Sequence, residues 1–248
     1  MLPHNFDVQL AGTSTSGSAV CIVSGGLDSV CTTGYLKEEK GYNVYMITFV
    51  YGQRSKYEIQ VAKRFASILK VKDHRIIDIS FMKEIYEGTN VLTDTKHPLP
   101  EYFDYSIVVP LRNAVFITIA TAWAMSIGAE LVAYGAHMGD KQYPDCRPIF
   151  TKSITKTLNL AEIDGIRSGI RRKITVWSPA VNGIDKSNLL RKGYKIFGDA
   201  IFDTWSCYTN GVKQGNTTIH CGVCESCRNR KLAISNACIE DKTNYAQA

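Results

Sequence analysis

The sequence predicts an α/β fold, a parallel sheet covered on both faces by helices, followed by a small C-terminal helical unit. Short β-rich apolar runs alternate with segments of helical spacing over roughly 180 residues, the pattern of repeated strand–helix units. A cluster of four cysteines then falls outside that alternation, near the carboxyl end.

The elements follow in order. Gly12 to Ser18 is small and polar, so residues 1–18 read as a disordered lead-in. Ala19 to Ser24 is an apolar run ending in Gly25-Gly26, a buried strand feeding a tight turn. Asp28 to Lys37 has helical character, Val44 to Val50 is a second strand, Lys56 to Leu69 a helix and His74 to Ile79 a third strand. Glu84 to Tyr105 carries turn residues without periodicity and reads as a loop or lid beside a site. Asn113 to Ala129 is free of charge and proline. With Asn113, Thr118, Thr121 and Ser126 inside it, it is marginal as a membrane span and reads as a buried helix over Ala114 to Ile127. Leu131 to Tyr134 is a fourth strand closed by Gly135, Phe150 to Ile163 a helix, Ile174 to Trp177 a fifth strand, and Asn188 to Phe197 a helix. Residues 19–200 thus form the α/β domain and 201–248 the C-terminal subdomain. Ligands of such sheets lie beyond the carboxyl ends of the strands.

With 248 residues and 45% hydrophobic content, the chain can bury one sizeable core plus an appendage. A net charge of +6 suits anionic ligands such as nucleotides. It is too mild to imply a nucleic-acid partner, because solvated lysines give the same figure. The first 18 residues lack a basic stretch followed by an apolar core, so the expectation is a cytoplasmic protein with no membrane partner.

Directly after the first strand stands Ser24-Gly25-Gly26-Leu27-Asp28-Ser29. The glycines let the backbone turn sharply and bring its N–H groups to an anion. Ser24 and Ser29 add hydroxyls, and the following helix points its positive end at the same place. The Gly-Lys-Ser/Thr of a Walker loop is missing, so the expected ligand is the pyrophosphate of ATP, with Asp28 holding Mg2+.

Cys207, Cys221, Cys224 and Cys227 offer four thiolates, two at knuckle spacing with Gly222 for the turn. Four protein ligands leave no open position, so the expected ion is a structural Zn2+ that pins the tail to the α/β domain. His220 is an alternative ligand or a bystander. Arg228, Arg230 and Lys231 leave open a nucleic-acid-binding ribbon or a solvated helix face.

These segments, with Tyr51-Gly52-Gln53-Arg54, Val109 to Asn113, Tyr143-Pro144-Asp145-Cys146-Arg147 and Thr204-Trp205-Ser206-Cys207-Tyr208, resemble 7-cyano-7-deazaguanine synthases, members of the PP-loop ATP pyrophosphatase superfamily. The Ser-Gly-Gly loop is shared widely in that superfamily. The Tyr-Pro-Asp-Cys-Arg and Trp-Ser-Cys-Tyr segments with the knuckle are far more specific. The resemblance implies an adenine nucleotide alpha-hydrolase-like fold and a homodimeric ATP-dependent ligase of queuosine and archaeosine biosynthesis. It would adenylate 7-carboxy-7-deazaguanine and use ammonia to reach the nitrile through an amide.

The resemblance also suggests roles. Gln53, Arg54 and Asn113 would join the phosphate loop in binding nucleotide. Arg112 and Lys186 would contact reacting phosphates, although Arg112 could instead make a helix-start ion pair and Lys186 lie at the surface. Asp140, Tyr143, Asp145 and Arg147, after the fourth strand, would read the substrate: carboxylates for its N–H donors, arginine for its carboxylate. Cys146 reads as a buried thiol rather than a nucleophile, and His137 as a core histidine or an acid–base group. Leu111 stands where the family usually has glycine and is expected to narrow or reshape the site; Val50 stands where aspartate is common, and the Cys207–Cys221 interval is long. These departures open a reading in which another amine, a protein's included, captures the adenylate. A tRNA-modifying PP-loop enzyme is a further alternative.

Overall fold

β-Branched and aromatic residues dominate the five apolar runs, and each forms a strand within two residues of its expected bounds. The computed structural model describes residues 16–86, 88–94, 96–215 and 217–246. In chain order the elements are β1 (Ser18–Ile22), α1 (Leu27–Gly34), β2 (Asn43–Val50), α2 (Tyr57–Leu69), β3 (His74–Asp78), α3 (Met82–Ile85), α4 (Arg112–Ser126), β4 (Leu131–Ala133), α5 (Pro148–Ala161), α6 (Ile163–Arg167), β5 (Thr175–Trp177), α7 (Lys186–Phe197), β6 (Val212–Gln214), β7 (Thr217–Ile219) and α8 (Glu225–Asn236).

The sheet runs β3-β2-β1-β4-β5 and is parallel throughout. Strand order reverses at β1, where the chain winds outward to β3 and then returns to place β4 on the other side. That reversal leaves a crevice beyond the carboxyl ends of β1 and β4, the place where such sheets bind ligands.

Strand alternation divides the core. Ala19, Cys21, Val44, Met46, Leu131 and Ala133 face one layer, packed with Val30 of α1, Phe65 of α2 and Leu189 and Leu190 of α7. Val20, Ile47, Phe49, Val132 and Val176 face the other, where α4 brings Phe116, Ile117, Ala120 and Ala124. By length and composition α4 lies in a segment apolar enough to cross a membrane. Its apolar side chains instead cover the sheet, as a helix buried on more than one side must.

Three features differ from the sequence reading. Residues 1–15 of the expected lead-in lie outside the described residues. Its last residues are tied to the sheet: Asn43 Nδ2 donates to the carbonyl and Oγ of Ser16, the Asn43 amide donates to Gly17, and β1 begins at Ser18. The long Cys207–Cys221 interval holds the β6–β7 hairpin, whose exposed three-residue strands carry no apolar alternation to announce them. Leu111 does not shape the site. It caps α4 at φ 56°, in the left-handed region that favours glycine, and its side chain is 72% exposed.

The 84–105 segment is strapped down. Arg54 donates to the carbonyls of Asp94 and His97. On its far side the Glu225 amide donates to Pro100 O, and Arg228 pairs with Glu101 at 2.5 Å while lying over the Tyr102 ring.

Candidate active site

The loop after β1 bends back on its own hydroxyls. The Ser24 amide donates to Ser29 Oγ at 3.3 Å, the Gly26 amide to Ser24 Oγ at 3.2 Å, and Ser29 Oγ to the Gly26 carbonyl at 3.0 Å. Gly25 has φ 91°, and a Cβ there would stand 2.4 Å from the Glu58 carbonyl, so no side chain fits. The loop's Gly25 carbonyl accepts from the Trp205 amide at 2.9 Å, which joins it to the C-terminal region.

Asp28, first-turn residue of α1, meets Lys186, the first residue of α7, at 2.9 Å. The fold turns Lys186 inward, with 19% of its side chain exposed, so it is not a surface lysine. His137, after β4, is buried. Its Nδ1 accepts from the Gly139 amide at 3.1 Å, while Nε2 lies 3.7 Å from Asp28 and 3.5 Å from Asp140. Asp140 also accepts from the His137 amide at 2.9 Å. Burial pushes the Asp28 carboxyl up, but Lys186 and His137 outweigh it and hold the group below its ordinary value. For Asp140 burial wins, aided by the Asp28 charge, and its pKa is raised. The pair is thus polarised: one firm carboxylate on the lysine, one carboxyl held closer to its protonated form.

A cavity at this crevice is lined by Ser24, Gly26, Leu27, Asp28 and Ser29, by Gln53, Arg54, Arg112 and Asn113, and by Asp140, Tyr143 and Lys186. Within it, Gln53 is committed to the β2 exit: its Oε1 accepts from the Tyr51 amide and its Nε2 donates to Phe49 O. Arg54 is the strap described above. Arg112 donates to Tyr51 Oη at 3.2 Å and lies over that ring. Asp145 and Arg147 do not line the cavity. Asp145 caps α4 by accepting from the Asn113 amide at 3.4 Å, and exposed Arg147 donates to the Lys141 carbonyl at 3.0 Å. Among the described residues, the arginines that reach the cavity are Arg54 and Arg112. Cys146 lines it, but burial drives the thiol pKa far up, with Asp140 and Asp145 adding to the effect. That keeps it a thiol and removes it as a nucleophile.

Sequence reasoning missed the opposite wall. Glu58, in the first turn of α2, and Trp205, Ser206, Tyr208, Glu225 and Asn229 all line the cavity. Burial raises the Glu58 carboxyl to about 8, against the pull of Arg112. Lone polar residues such as Glu58 and Asn229 carry no sequence signal of this; Trp205, Ser206, Tyr208 and Glu225 stand inside cysteine-bearing segments, which drew attention to the segments and gave these residues no role.

That wall is held by the four cysteines. The Sγ atoms of Cys207, Cys221, Cys224 and Cys227 lie within 4.8 Å of one another, with Cys221 and Cys227 at 3.9 Å. A tetrahedron of thiolates about 2.3 Å from zinc has edges near ~3.8 Å, so the donor set fits a closed Zn2+ site. Gly222, at φ 78°, makes the knuckle turn. His220 is not among these donors. Its ring packs on Trp205 at 4.3 Å, and its Nε2 accepts from the Ser206 amide. The basic residues beyond the knuckle are engaged. Arg230 is fully buried, donating to Thr204, Ser206, Thr243 and Phe202. Lys231 donates to Gly222 O, and Arg228 holds Glu101. Burial removes Arg230 from any solvent-facing basic patch, while Arg228 and Lys231 keep solvent access.

The family model described as queuosine biosynthesis protein QueC matches residues 18–238. A 7-cyano-7-deazaguanine synthase of Caldicellulosiruptor bescii is 36% identical over 231 residues, covering 92% of this chain and 96% of that protein. The synthase of Stutzerimonas stutzeri is also 36% identical, over 232 residues and 97% of its length. Among solved structures, NMN synthetase from Francisella tularensis superposes with a TM-score of 0.47 at 17% identity, over 82% of this chain and 70% of that one. On the full-length match of model and relatives, this chain belongs to the QueC family.

Proposed function

We propose that this chain is an ATP-dependent carbon–nitrogen ligase that converts 7-carboxy-7-deazaguanine into 7-cyano-7-deazaguanine. The observation that carries it is the Asp28–Lys186 pair set against a Ser-Gly-Gly loop at the strand-order reversal. A carboxylate is a poor electrophile, and its transfer to AMP supplies a leaving group. The carboxylate attacks the α-phosphorus of ATP, the bond to the β,γ-pyrophosphate breaks, and the loop amides with Ser24 and Ser29 receive the pyrophosphate. Lys186 neutralises charge on the transferring phosphoryl, with Arg112 in support. Ammonia attacks the acyl carbon, AMP leaves and the amide forms. A second activation, now on the amide oxygen, removes that oxygen as AMP and leaves the nitrile. The residues contribute position and charge rather than covalent chemistry.

Asp28 and Asp140 would hold Mg2+, which supplies charge neutralisation on the phosphates. Gln53 and Asn113 shape the adenosine side. We read 19–200 as the PP-loop domain and 201–248 as a zinc-held subdomain that closes the site. Exposed Ile149, Leu160 and Ile170 support a homodimer. The thiolate cluster suits a reducing, cytoplasmic setting. The amine-capture alternative rests mainly on Leu111, whose exposed side chain lies off the cavity, so ammonia remains the acceptor.

Incubation with ATP, Mg2+, ammonium and 7-carboxy-7-deazaguanine tests this. AMP, pyrophosphate and the nitrile are expected by phosphorus NMR and mass spectrometry. ADP with orthophosphate overturns the adenylate mechanism, and a stable adduct with another amine overturns the acceptor.

A further inference from the structure

Reading a deazaguanine requires an acceptor pair for the ring N–H and the exocyclic amine beside it. Neither aspartate expected to do this is available. Asp145 lies off the cavity and caps α4, and Asp140 is bound to His137 beside the phosphate loop. Among the described residues, two carboxyls besides Asp28 and Asp140 line the cavity. Glu58 belongs to the phosphate side, since its backbone packs against Gly25. Glu225 stands across from it, between zinc ligands Cys224 and Cys227, on the wall shared with Tyr208.

Glu225 is built to hold a fixed orientation. Tyr208 Oη donates to its Oε2 at 2.9 Å and Asn229 Nδ2 to its Oε1 at 2.5 Å. Among the described residues no cation lies within 4 Å of it. A carboxylate offers about four acceptor positions, and these bonds use one on each oxygen. The remaining positions on the two oxygens can accept a pair of parallel donors. The carboxylate is buried, 5% of the residue exposed, yet it lines the cavity. Buried acceptor capacity left without a partner is costly unless a ligand supplies donors. Tyr143 and Tyr208 line the same cavity and offer aromatic surface to a planar base.

We propose that Glu225 is the specificity-determining residue that accepts the ring N–H and exocyclic amine of a guanine-type base. The assignment rests on the synthase reading for the identity of the base. It also gives the four-thiolate centre a purpose beyond stability: the knuckle sets the position of the residue that recognises substrate.

The test uses the zinc-loaded full chain with 7-carboxy-7-deazaguanine and with 7-carboxy-7-deazahypoxanthine, which lacks the exocyclic amine. Base-dependent AMP formation gives kcat and KM for each, and calorimetry gives binding. A site built for a donor strongly rejects the analogue lacking it, so the native protein should prefer the guanine form by about 100-fold in kcat/KM. Glu225→Gln presents an amide donor to a donor and should reduce that preference to within about threefold, acting mainly on KM, with zinc content and the KM for ATP unchanged. Tyr208→Phe, which removes one bond to Glu225 and leaves the carboxylate, should reduce it about fivefold. Glu225→Gln protein that keeps zinc and retains the native preference overturns the proposal. If neither variant folds with zinc bound, Asn229→Ala provides the same comparison, and an unchanged preference there overturns it too. If the native protein turns over neither base, the synthase reading fails. Binding then decides the inference: a guanine-type preference erased in Glu225→Gln upholds it, and absence of binding or of preference overturns it.

Discussion

The floor gathers Asp28, His137, Asp140 and Lys186 into one charged cluster, whereas on the opposite wall the Glu225 carboxylate is held by two neutral donors, Tyr208 and Asn229. The floor's charges sit at strand exits and helix starts, where a parallel sheet delivers them whatever else the sequence does. Among the described residues the wall is defined by a hairpin of two three-residue strands and one helix, so its shape is expected to depend on the metal the thiols can hold and on Arg230. That arginine makes no ion pair among the described residues; hydroxyls and carbonyls surround it, and burial lowers its pKa. The difference separates two tasks. On the proposed reading, charge on the floor would meet charge that develops in the reaction, while the wall would supply shape and a fixed acceptor.

If the wall depends on its metal, stripping zinc should produce the largest change. We expect a loss of upward of about 5 kcal/mol, seen as a lower melting temperature, with activity falling as a consequence. A stripped protein that keeps its melting temperature and loses only rate would place the metal in catalysis and erase the distinction. On the floor, Lys186→Ala should lower the rate of AMP formation about a thousandfold, or about 4 kcal/mol, with melting changed far less. Near-native turnover would remove Lys186 from the phosphate path.

Arg230→Met sharpens the contrast, because it leaves Thr204, Thr243 and two carbonyls short of a donor. The expected cost is about 3 kcal/mol of stability, read by chemical denaturation, with the KM for ATP unchanged. Glu58 links the two regions through pH. Its folded pKa, raised from 4.5 to about 8 by burial, means the folded state binds the proton more tightly than the unfolded chain. Its favourable contribution is complete below about pH 4.5 and is lost as pH rises through about 8. Glu58→Gln should flatten the decline in that window by about 1–2 kcal/mol, a fraction of the full shift because the side chain is only half-buried. An unchanged pH profile would remove that titration. The smallest effect belongs to Leu111→Gly, which relieves a left-handed leucine at the cost of a looser unfolded chain. The net gain should be about 0.5–1 kcal/mol, with product and rate unaltered. A changed product from mixed amines would bring Leu111 back into acceptor choice.

The sequence alone determined the sheet and its phosphate loop. Apolar runs of period two and helical stretches of period 3.6 are local patterns, and Gly25-Gly26 with Asp28 and Ser29 is a contiguous turn whose chemistry is complete within six residues. The metal site is legible for the same reason, since three of its four ligands fall within seven residues. Partnerships across the chain were not legible. The resemblance suggested a phosphate contact for Lys186, and as a lone lysine it could lie at the surface; its pairing with Asp28, 158 positions away, emerges only when α7 brings the two together. Asp145 and Arg147, inside a specific motif, turn to helix capping and to Lys141, while Glu225 lines the cavity. The tertiary structure decided these because a side chain's role follows from which donors and charges the fold sets within a few ångströms of it, and periodicity along one segment carries no record of that neighbour.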